Sequence, residues 1–252
     1  YELFPYPAAH FRDNALQRQH LELAQLTGIE VHPDLHLTFG HLVQVNHFLF
    51  SGRRDFCKPF RALFAGGGSG FKLFVMAAQL QAMRSRAFEL VLVDLSANSI
   101  ALAQQRLQSH PPLRDLEASG RVRFIRGSIA QLGSCDLDLG AFDLIDCEGV
   151  LHHIADPLPA VRALARSLAP GGGLSVMLYG ELGRIGVYHA RAMLELLERA
   201  RGDSKARYRE RIARTRRLLG ALVNPNWPRV DAYKWQKLHA YLNRTGDTGL
   251  AD

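Results

Sequence analysis

The chain has 252 residues, of which 47% are hydrophobic, and its formal net charge is +7 at pH 7. This length and composition predict one sizeable α/β domain with added segments. No apolar run approaches the roughly eighteen residues of a membrane-spanning helix, and no basic-then-apolar signal pattern opens the chain. We therefore expect a cytoplasmic protein without a membrane partner.

The cysteines argue against two kinds of framework. Cys57, Cys135 and Cys147 are widely separated and form no Cys-x-x-Cys pair, so neither a disulfide framework nor a zinc site is predicted. A reducing compartment fits this usage. We expect no metal.

Residues 1–59 are predicted to form a helical N-terminal extension. Two prolines hold the Phe4–Pro7 segment extended, and helical patterns cover Asn14–Leu26 and Gly40–Phe50. Phe4 and Tyr6 could line the substrate as part of a lid. The alternative is that these aromatic rings only pack against the core.

The segment Arg61–Asp94 predicts a β–loop–α–β unit. Ala62–Ala65 and Leu90–Val93 read as buried strands, and a helical pattern runs from Phe71 to about Arg84. A helix between two such strands requires a parallel, right-handed crossover.

The glycine run Gly66–Gly70 lies where this first strand turns into the helix. It fits Gly-x-Gly-x-Gly, whereas a dinucleotide fingerprint would need glycine at Phe71. Asp94 ends the next strand, where an acid binds ribose hydroxyls. Two simpler interpretations stay open: the glycines form only a tight turn, and Asp94 or Ser96 caps the following helix.

The rest of the core, residues 60–185, continues the alternation of strands and helices. We predict a helix at Ser96–Gln108, strands at Arg121–Arg126 and Phe142–Cys147, a helix from about Pro157 to Leu168, a break at Ala169–Gly173 and a strand at Leu174–Tyr179. Five strands in this pattern predict a doubly wound, mainly parallel Rossmann-like sheet with helices on both faces. Its ligands lie at the carboxyl ends of the strands.

Four motifs in this order resemble the class I S-adenosylmethionine-dependent methyltransferases. They are AGGGSG at Ala65–Gly70, VLVDLS at Val91–Ser96, FDLIDCEGVLHHIADP at Phe142–Pro157 and LAPGGGLSVMLYG at Leu168–Gly180. The resemblance covers residues 61–186 and implies an enzyme that uses S-adenosyl-L-methionine. The ELGRIGVY stretch at Glu181–Tyr188 is similar to a bacterial subgroup whose members are mostly uncharacterised.

The resemblance also implies which residues hold the cofactor. The glycine loop lines the methionine and ribose portions, Asp94 accepts from the ribose hydroxyls, and Leu95 and Ile129 flank the adenine. The implied cofactor-binding residues are Ala65, Gly66, Gly67, Gly68, Gly70, Asp94, Leu95, Ser128, Ile129, Cys147 and Glu148.

Two positions depart from the family pattern. Ser128 stands where many members carry an Asp for the adenine amino group, and Phe64 replaces an acid common at the end of the first strand. One interpretation is that Glu148 compensates by facing the methionine ammonium group. A structural or substrate-facing role for Glu148 stays open.

His152 and His153 follow the fourth strand, beside the expected position of the methyl group. Imidazole titrates near working pH, so either could remove a proton from a hydroxyl or amine acceptor. The alternative is a structural Leu-His-His turn. A metal site of these two with Asp156 is disfavoured because no ligand cluster accompanies them.

The acceptor is expected to be a small molecule, because Glu148-Gly149-Val150 stands where aminopurine methyltransferases carry Pro-Pro-Tyr/Phe. Tyr179, Arg184 and Tyr188 are predicted substrate-binding residues, with Phe4 and Tyr6. Nine basic residues in Arg199–Arg217 leave an RNA or protein acceptor open, although interleaved acids favour a solvated helix.

Residues 186–252 are predicted to form a helical cap or insert. Helical patterns cover Ala190–Arg201 and Tyr208–Leu222. A complete class I domain adds an antiparallel hairpin after the fifth strand, and this region shows no pattern for one, so we expect the last strands to be missing. A non-catalytic cofactor sensor and a nicotinamide dehydrogenase are the remaining alternatives.

Overall fold

The computed structural model describes residues 42–85, 87–135 and 137–200, together with residues 210, 213, 214 and 217. The chain divides into two compact units, of which the first ends at Leu178 and the second begins at Tyr179. The predicted helix Asn14–Leu26, the residues Phe4 and Tyr6, and nearly all of the predicted helix Tyr208–Leu222 lie outside the described residues.

The first unit is built on five strands that pair only in parallel over its described residues, in the order β3-β2-β1-β4-β5. The strands are β1 Phe60–Ala65, β2 Phe88–Asp94, β3 Val122–Arg126, β4 Phe142–Glu148 and β5 Leu168–Met177. The helices are α1 Leu42–Phe50, α2 Phe71–Ala82, α3 Ala97–Ser109, α4 Asp115–Ala118 and α5 Leu158–Arg166, with 3₁₀ turns at Ile129–Gln131 and Leu151–His153. The predicted doubly wound α/β fold is confirmed.

Both faces of the sheet are buried, which explains why its central strands read as nearly continuous apolar runs. On one face, Phe64 and Leu92 pack with residues of α1, α2 and α3. On the other, Leu63 and Val91 pack with residues of α5. The period of two along each strand therefore assigns side chains to one layer of helices or the other.

The start of α3 resolves one alternative that the sequence left open. Ser96 is the N-cap, because its Oγ accepts a hydrogen bond from the Ser99 N–H at 3.1 Å. Asp94 is thereby released from a capping role.

The fifth strand differs from its prediction. It runs from Leu168 to Met177, so the Pro-Gly-Gly-Gly segment, predicted as a break, lies inside it. The pairing jumps from Phe142–Leu168 to Leu144–Gly173, which is a bulge in β5. Glycine in the bulge also admits α1, since a Cβ on Gly173 would lie 2.8 Å from the Leu49 Cβ.

The second unit begins with a 3₁₀ turn at Leu182–Arg184 and continues into α6, Ile185–Ala200. This helix begins five residues before the predicted helix Ala190–Arg201. Among the described residues, no helix combines the length and hydropathy needed to cross a bilayer.

Candidate functional site

The glycine loop links β1 to α2 at the carboxyl edge of the sheet. Its first turn is fastened to the neighbouring strand, because the Gly66 N–H donates to the Val93 carbonyl at 2.7 Å. The turn closes through a hydrogen bond from the Gly70 N–H to the Gly67 carbonyl at 3.0 Å. The loop is thus held in one conformation by backbone contacts.

Glycine is required at Gly66 for two reasons. Its φ is +72°, in the left-handed region that L side chains rarely adopt. A Cβ there would also lie 2.5 Å from the Cγ2 of Val150. The loop therefore contacts the segment that follows β4, and both line the same end of the sheet.

Asp94 lies where the sequence predicts the ribose-binding acid. Its Oδ2 accepts from the Gly68 N–H at 2.8 Å and its Oδ1 accepts from the Ser96 N–H at 2.9 Å. The carboxylate is half-buried. Because each oxygen has a second lone pair, it can still accept hydrogen bonds from a ligand's hydroxyl groups.

The predicted adenine-flanking residues lie at the ends of β2 and β3. Leu95, the residue after Asp94, is 70% exposed. Ile129 is buried, and the Ser128 Oγ accepts from the Ala130 N–H at 3.4 Å, so it caps the turn that holds Ile129. A half-buried carboxylate next to an exposed apolar side chain fits a nucleoside, which has ribose hydroxyls and an apolar base.

Cys147 faces the opposite layer from its neighbours in β4 and is fully buried in the α5 layer. Burial, together with the negative charges of Asp146 and Glu148, raises the pKa of its thiol to about 12. The thiol therefore stays protonated at neutral pH and is no nucleophile. The Cys147 side chain does not face the glycine loop's helix, so its predicted cofactor contact would come from its backbone.

Glu148 ends β4 and belongs to a charged cluster that the sequence did not predict. The cluster consists of Lys72, Asp146, Glu148 and Ser175. The Lys72 Nζ lies 2.9 Å from the Asp146 Oδ2 and also forms an ion pair with Glu148. The Ser175 Oγ donates to the Glu148 Oε1 at 2.8 Å.

Asp146 is the most buried member of this cluster, which we call the Lys72 cluster. Burial raises its pKa to about 6; Lys72 opposes this shift and Glu148 adds to it. One lysine thus neutralises one of two carboxylates, and the described part of the cluster keeps an excess of negative charge.

The Lys72 cluster lies beside Phe64, the position at which related sequences often carry an acid. In the sheet register, Phe64 of β1 pairs with Asp146 of β4, and Phe64 is only 2% exposed. The carboxylate absent from β1 is therefore present one strand away. A sequence signal existed, since Asp146 and Glu148 are charged residues two apart in an apolar strand and so share a face.

His152 and His153 form the 3₁₀ turn after β4, with ring centroids 4.3 Å apart. His153 is exposed, whereas both ring nitrogens of His152 are shielded from solvent. Of the two predicted bases, His153 is therefore the one whose side chain is exposed; a catalytic role for either histidine stays a prediction. No group of three His, Cys, Asp or Glu side chains able to hold a metal occurs among the described residues.

The predicted substrate-binding residues Tyr179, Arg184 and Tyr188 belong to the second unit. The Arg184 guanidinium lies 3.5 Å from the centroid of the Tyr179 ring, and Tyr188 is 41% exposed. These contacts fix Arg184 over an aromatic face within that unit. Their predicted role toward a substrate stays a prediction, and Phe4 and Tyr6 lie outside the described residues.

Comparison with known proteins matches residues 63–174 to a family model described as a methyltransferase domain. An uncharacterised Synechococcus protein is 32% identical over 69% of this chain and 38% of its own length. The Escherichia coli tRNA 5-carboxymethoxyuridine methyltransferase is 33% identical over 49% of this chain and 41% of its own length. The chain thus spans about two fifths of these relatives.

Two further similarities extend this picture. The ubiquinone biosynthesis O-methyltransferase of Xanthomonas campestris pv. campestris is 31% identical over 37% of this chain and 35% of its own length. PKMT2 from Rickettsia typhi, solved in complex with AdoHcy, superposes with a TM-score of 0.52 at 18% identity, over 81% of this chain and 37% of that one. The second likeness concerns the fold alone.

Proposed function

Since the chain contains a class I S-adenosylmethionine-dependent methyltransferase domain, we propose that it transfers a methyl group from S-adenosyl-L-methionine to a small-molecule acceptor. The observation that carries this proposal is the hydrogen bond from the Gly68 N–H to the Asp94 carboxylate, 2.8 Å long. It joins the two motifs that a nucleoside cofactor needs at one edge of the sheet.

The cofactor supplies a methyl group on a sulfonium, which a nucleophile takes in an in-line displacement. The chain's own task is therefore to align the acceptor and exclude water. With the cofactor bound, the glycine loop would allow a close backbone approach, Asp94 would accept hydrogen bonds from the ribose hydroxyls, and Leu95 would flank the base.

A proton must leave the acceptor only when the acceptor is a hydroxyl or an amine. His153 follows the fourth strand and is exposed, so its imidazole can accept that proton. Cys147 takes no part, because its thiol stays protonated.

An RNA acceptor is a second candidate, supported by one specific similarity. The relative with 33% identity over 49% of this chain is a tRNA methyltransferase, and the basic segment Arg199–Arg217 offers charge for phosphate contacts. A small acceptor is supported by the similarity to an O-methyltransferase of ubiquinone biosynthesis.

Calorimetric titration tests the cofactor. We expect S-adenosylhomocysteine to bind and NADH not to bind. Binding of NADH alone would replace the proposal by a nicotinamide dehydrogenase, and binding without turnover on any acceptor would support a cofactor sensor.

Transfer of labelled methyl groups tests the acceptor. Phenolic and carboxylate small molecules are compared with unmodified tRNA, and we expect label in the small molecules. For a hydroxyl acceptor, His153→Asn should lower kcat by about 10²-fold or more, the usual contribution of a general base. His47→Asn, at an exposed position of α1, is the matched control and should leave kcat unchanged. Label in tRNA alone would favour the RNA acceptor.

A further inference from the structure

We propose that Lys72 and Glu148 bind the amino-acid end of the cofactor: Glu148 pairs with the ammonium group and Lys72 with the carboxylate. This inference rests on the proposed function and assigns a ligand-binding role to a lysine that no motif predicted. The ligand chemistry is that of a zwitterionic α-amino acid attached to a nucleoside.

The position of the pair relative to the glycine loop supports this role. Lys72 is the second residue of α2, the helix into which the loop leads directly. Glu148 ends β4, two residues before Val150, whose side chain contacts Gly66. Both charges therefore lie near the glycine loop, one at the start of the helix that follows it and the other at the end of β4.

Burial divides the Lys72 cluster into an anchor and two binding groups. The Asp146 side chain is 12% exposed, whereas Lys72 and Glu148 are 22% and 19% exposed. The Lys72 Nζ donates to both carboxylate oxygens of Asp146, to Oδ2 at 2.9 Å and to Oδ1 at 3.3 Å. Lys72 thus keeps a carboxylate partner when its pair with Glu148 opens.

Charge complementarity makes this exchange favourable. A zwitterion that enters between Lys72 and Glu148 replaces one ion pair by two, so no buried charge is left without a partner. Unpaired buried charges are the main penalty in such sites, whereas charge-assisted hydrogen bonds are the stronger kind. Ser175 keeps Glu148 oriented through its own hydrogen bond of 2.8 Å.

Phe64, which stands where related sequences often carry an acid, explains why carboxylates on β4 would be needed to bind the ammonium group. β1 provides no carboxylate at its end, because Phe64 stands there and is buried. The neighbouring strand provides two carboxylates on the same face, and the register places Asp146 directly beside Phe64. The carboxylates available to a cationic ammonium group at this face therefore come from β4 and not from Phe64 of β1.

The test compares two ligands that differ only at the amino-acid end. S-adenosylhomocysteine carries the zwitterion, and 5′-methylthioadenosine has the same nucleoside and thioether without it. Titration calorimetry is done on the full chain with Glu148→Gln and with the double variant K72M/D146N. The double variant removes Lys72 without stranding the buried Asp146 charge. Lys58→Met, at an exposed position, is the matched control.

We expect both variants to weaken S-adenosylhomocysteine by about 10- to 100-fold, the loss of a charge-assisted hydrogen bond of about 1.5–3 kcal/mol. Methylthioadenosine should change by less than about twofold, within ordinary surface effects. Equal weakening of both ligands would show that the Lys72 cluster only shapes the loop, and tighter binding of the homocysteine nucleoside would show that Lys72 obstructs the site. Wild-type protein that binds neither nucleoside would defeat the proposed function, and this inference with it.

Discussion

The two edges of the sheet each carry a charged cluster, but the charges are balanced in different ways. At the amino edge, Glu89 accepts from both Arg61 and Arg123, at 2.7 and 3.0 Å. The remaining guanidinium nitrogens of Arg61 donate to backbone carbonyls at 2.6 and 2.9 Å. At the carboxyl edge, Lys72 is shared between two acids, and the more buried of them is Asp146.

The pKa shifts at the two edges have opposite signs. Burial raises the pKa of Glu89, but the hydrogen bonds and charges of the two arginines outweigh it, so the pKa lies below its usual value. Burial raises the pKa of Asp146 to about 6, and its lysine does not outweigh it. The charge of Glu89 at the amino edge therefore stabilises the fold, whereas the charge of the buried Asp146 at the carboxyl edge opposes it, and such perturbed groups are typical of binding sites.

The largest effect is expected when the Asp94 carboxylate at the carboxyl edge is removed. Asp94→Ala should weaken S-adenosylhomocysteine by about 100-fold or more, because each charge-assisted hydrogen bond is worth about 1.5–3 kcal/mol and the Gly68 N–H also loses its acceptor. Titration calorimetry measures the dissociation constant. Asp115→Ala, whose side chain is 89% exposed, is the control. An unchanged constant in Asp94→Ala would remove this residue from the site.

Asp146→Asn should change the pH dependence of the free energy of unfolding, which tests the charge balance at the carboxyl edge. The pKa of Asp146 is about 6 in the folded protein, above the ordinary aspartate value of 3.8. Its protonation therefore favours folding at low pH, and that contribution is lost as pH rises through about 6. The free energy of unfolding of the Asn variant relative to wild type should therefore rise between about pH 4 and 7, by up to about 3 kcal/mol. Urea titrations at several pH values measure it, and a flat difference would contradict the prediction.

Gly66→Ala tests how tightly the carboxyl edge is packed. The new Cβ meets Val150 at 2.5 Å in a left-handed conformation, so stability should fall by about 1–3 kcal/mol beyond the backbone effect. Gly120→Ala has nearly the same φ and nothing within 4 Å, so it isolates the backbone effect in the same thermal-unfolding assay. Equal losses in the two variants would mean that Val150 moves aside freely.

The smallest effect is expected at the amino edge. Glu89→Gln should lower the free energy of unfolding by about 1 kcal/mol or less, as for other partly exposed ion pairs. Because the pKa of Glu89 is lowered, this loss should be present at neutral pH and fade as pH falls below the usual range of a glutamate. Affinity for S-adenosylhomocysteine should stay unchanged; a tenfold change would couple the two edges and break the distinction.

The sequence predicted most of the sheet because its strands are buried on both faces. Phe142–Glu148 extends the predicted strand by one residue, and Val122–Arg126 lacks only the first predicted residue. The prediction for β5 was wrong because proline and glycine usually end elements, whereas at this edge they form a bulge under α1. The packing of α1 against this segment, which the sequence does not reveal, is what distinguishes a bulge inside the strand from a break before it.

The sequence could place the glycine loop and Asp94 near each other because one segment contains both. The glycine loop and Asp94 lie within one β–loop–α–β unit, and the structure joins them by a hydrogen bond. Asp146 and Glu148 alternate on one face of β4 and could be grouped from the sequence, but Lys72 and Ser175 come from α2 and β5, so only the fold brings the Lys72 cluster together. A lysine among apolar helical residues gives no hint of a partner 74 positions away.

The Asp94 carboxylate ties together two successive βα connections, since one oxygen holds the loop after β1 at Gly68 and the other holds the start of α3 at Ser96. The two connections therefore keep their shape together, and ligand binding need not first order either one. In hydrogen–deuterium exchange this predicts a shared opening event. The amides of Gly68 and Ser96 should have the same free energy of opening, because both lose their acceptor when the Asp94 carboxylate moves away.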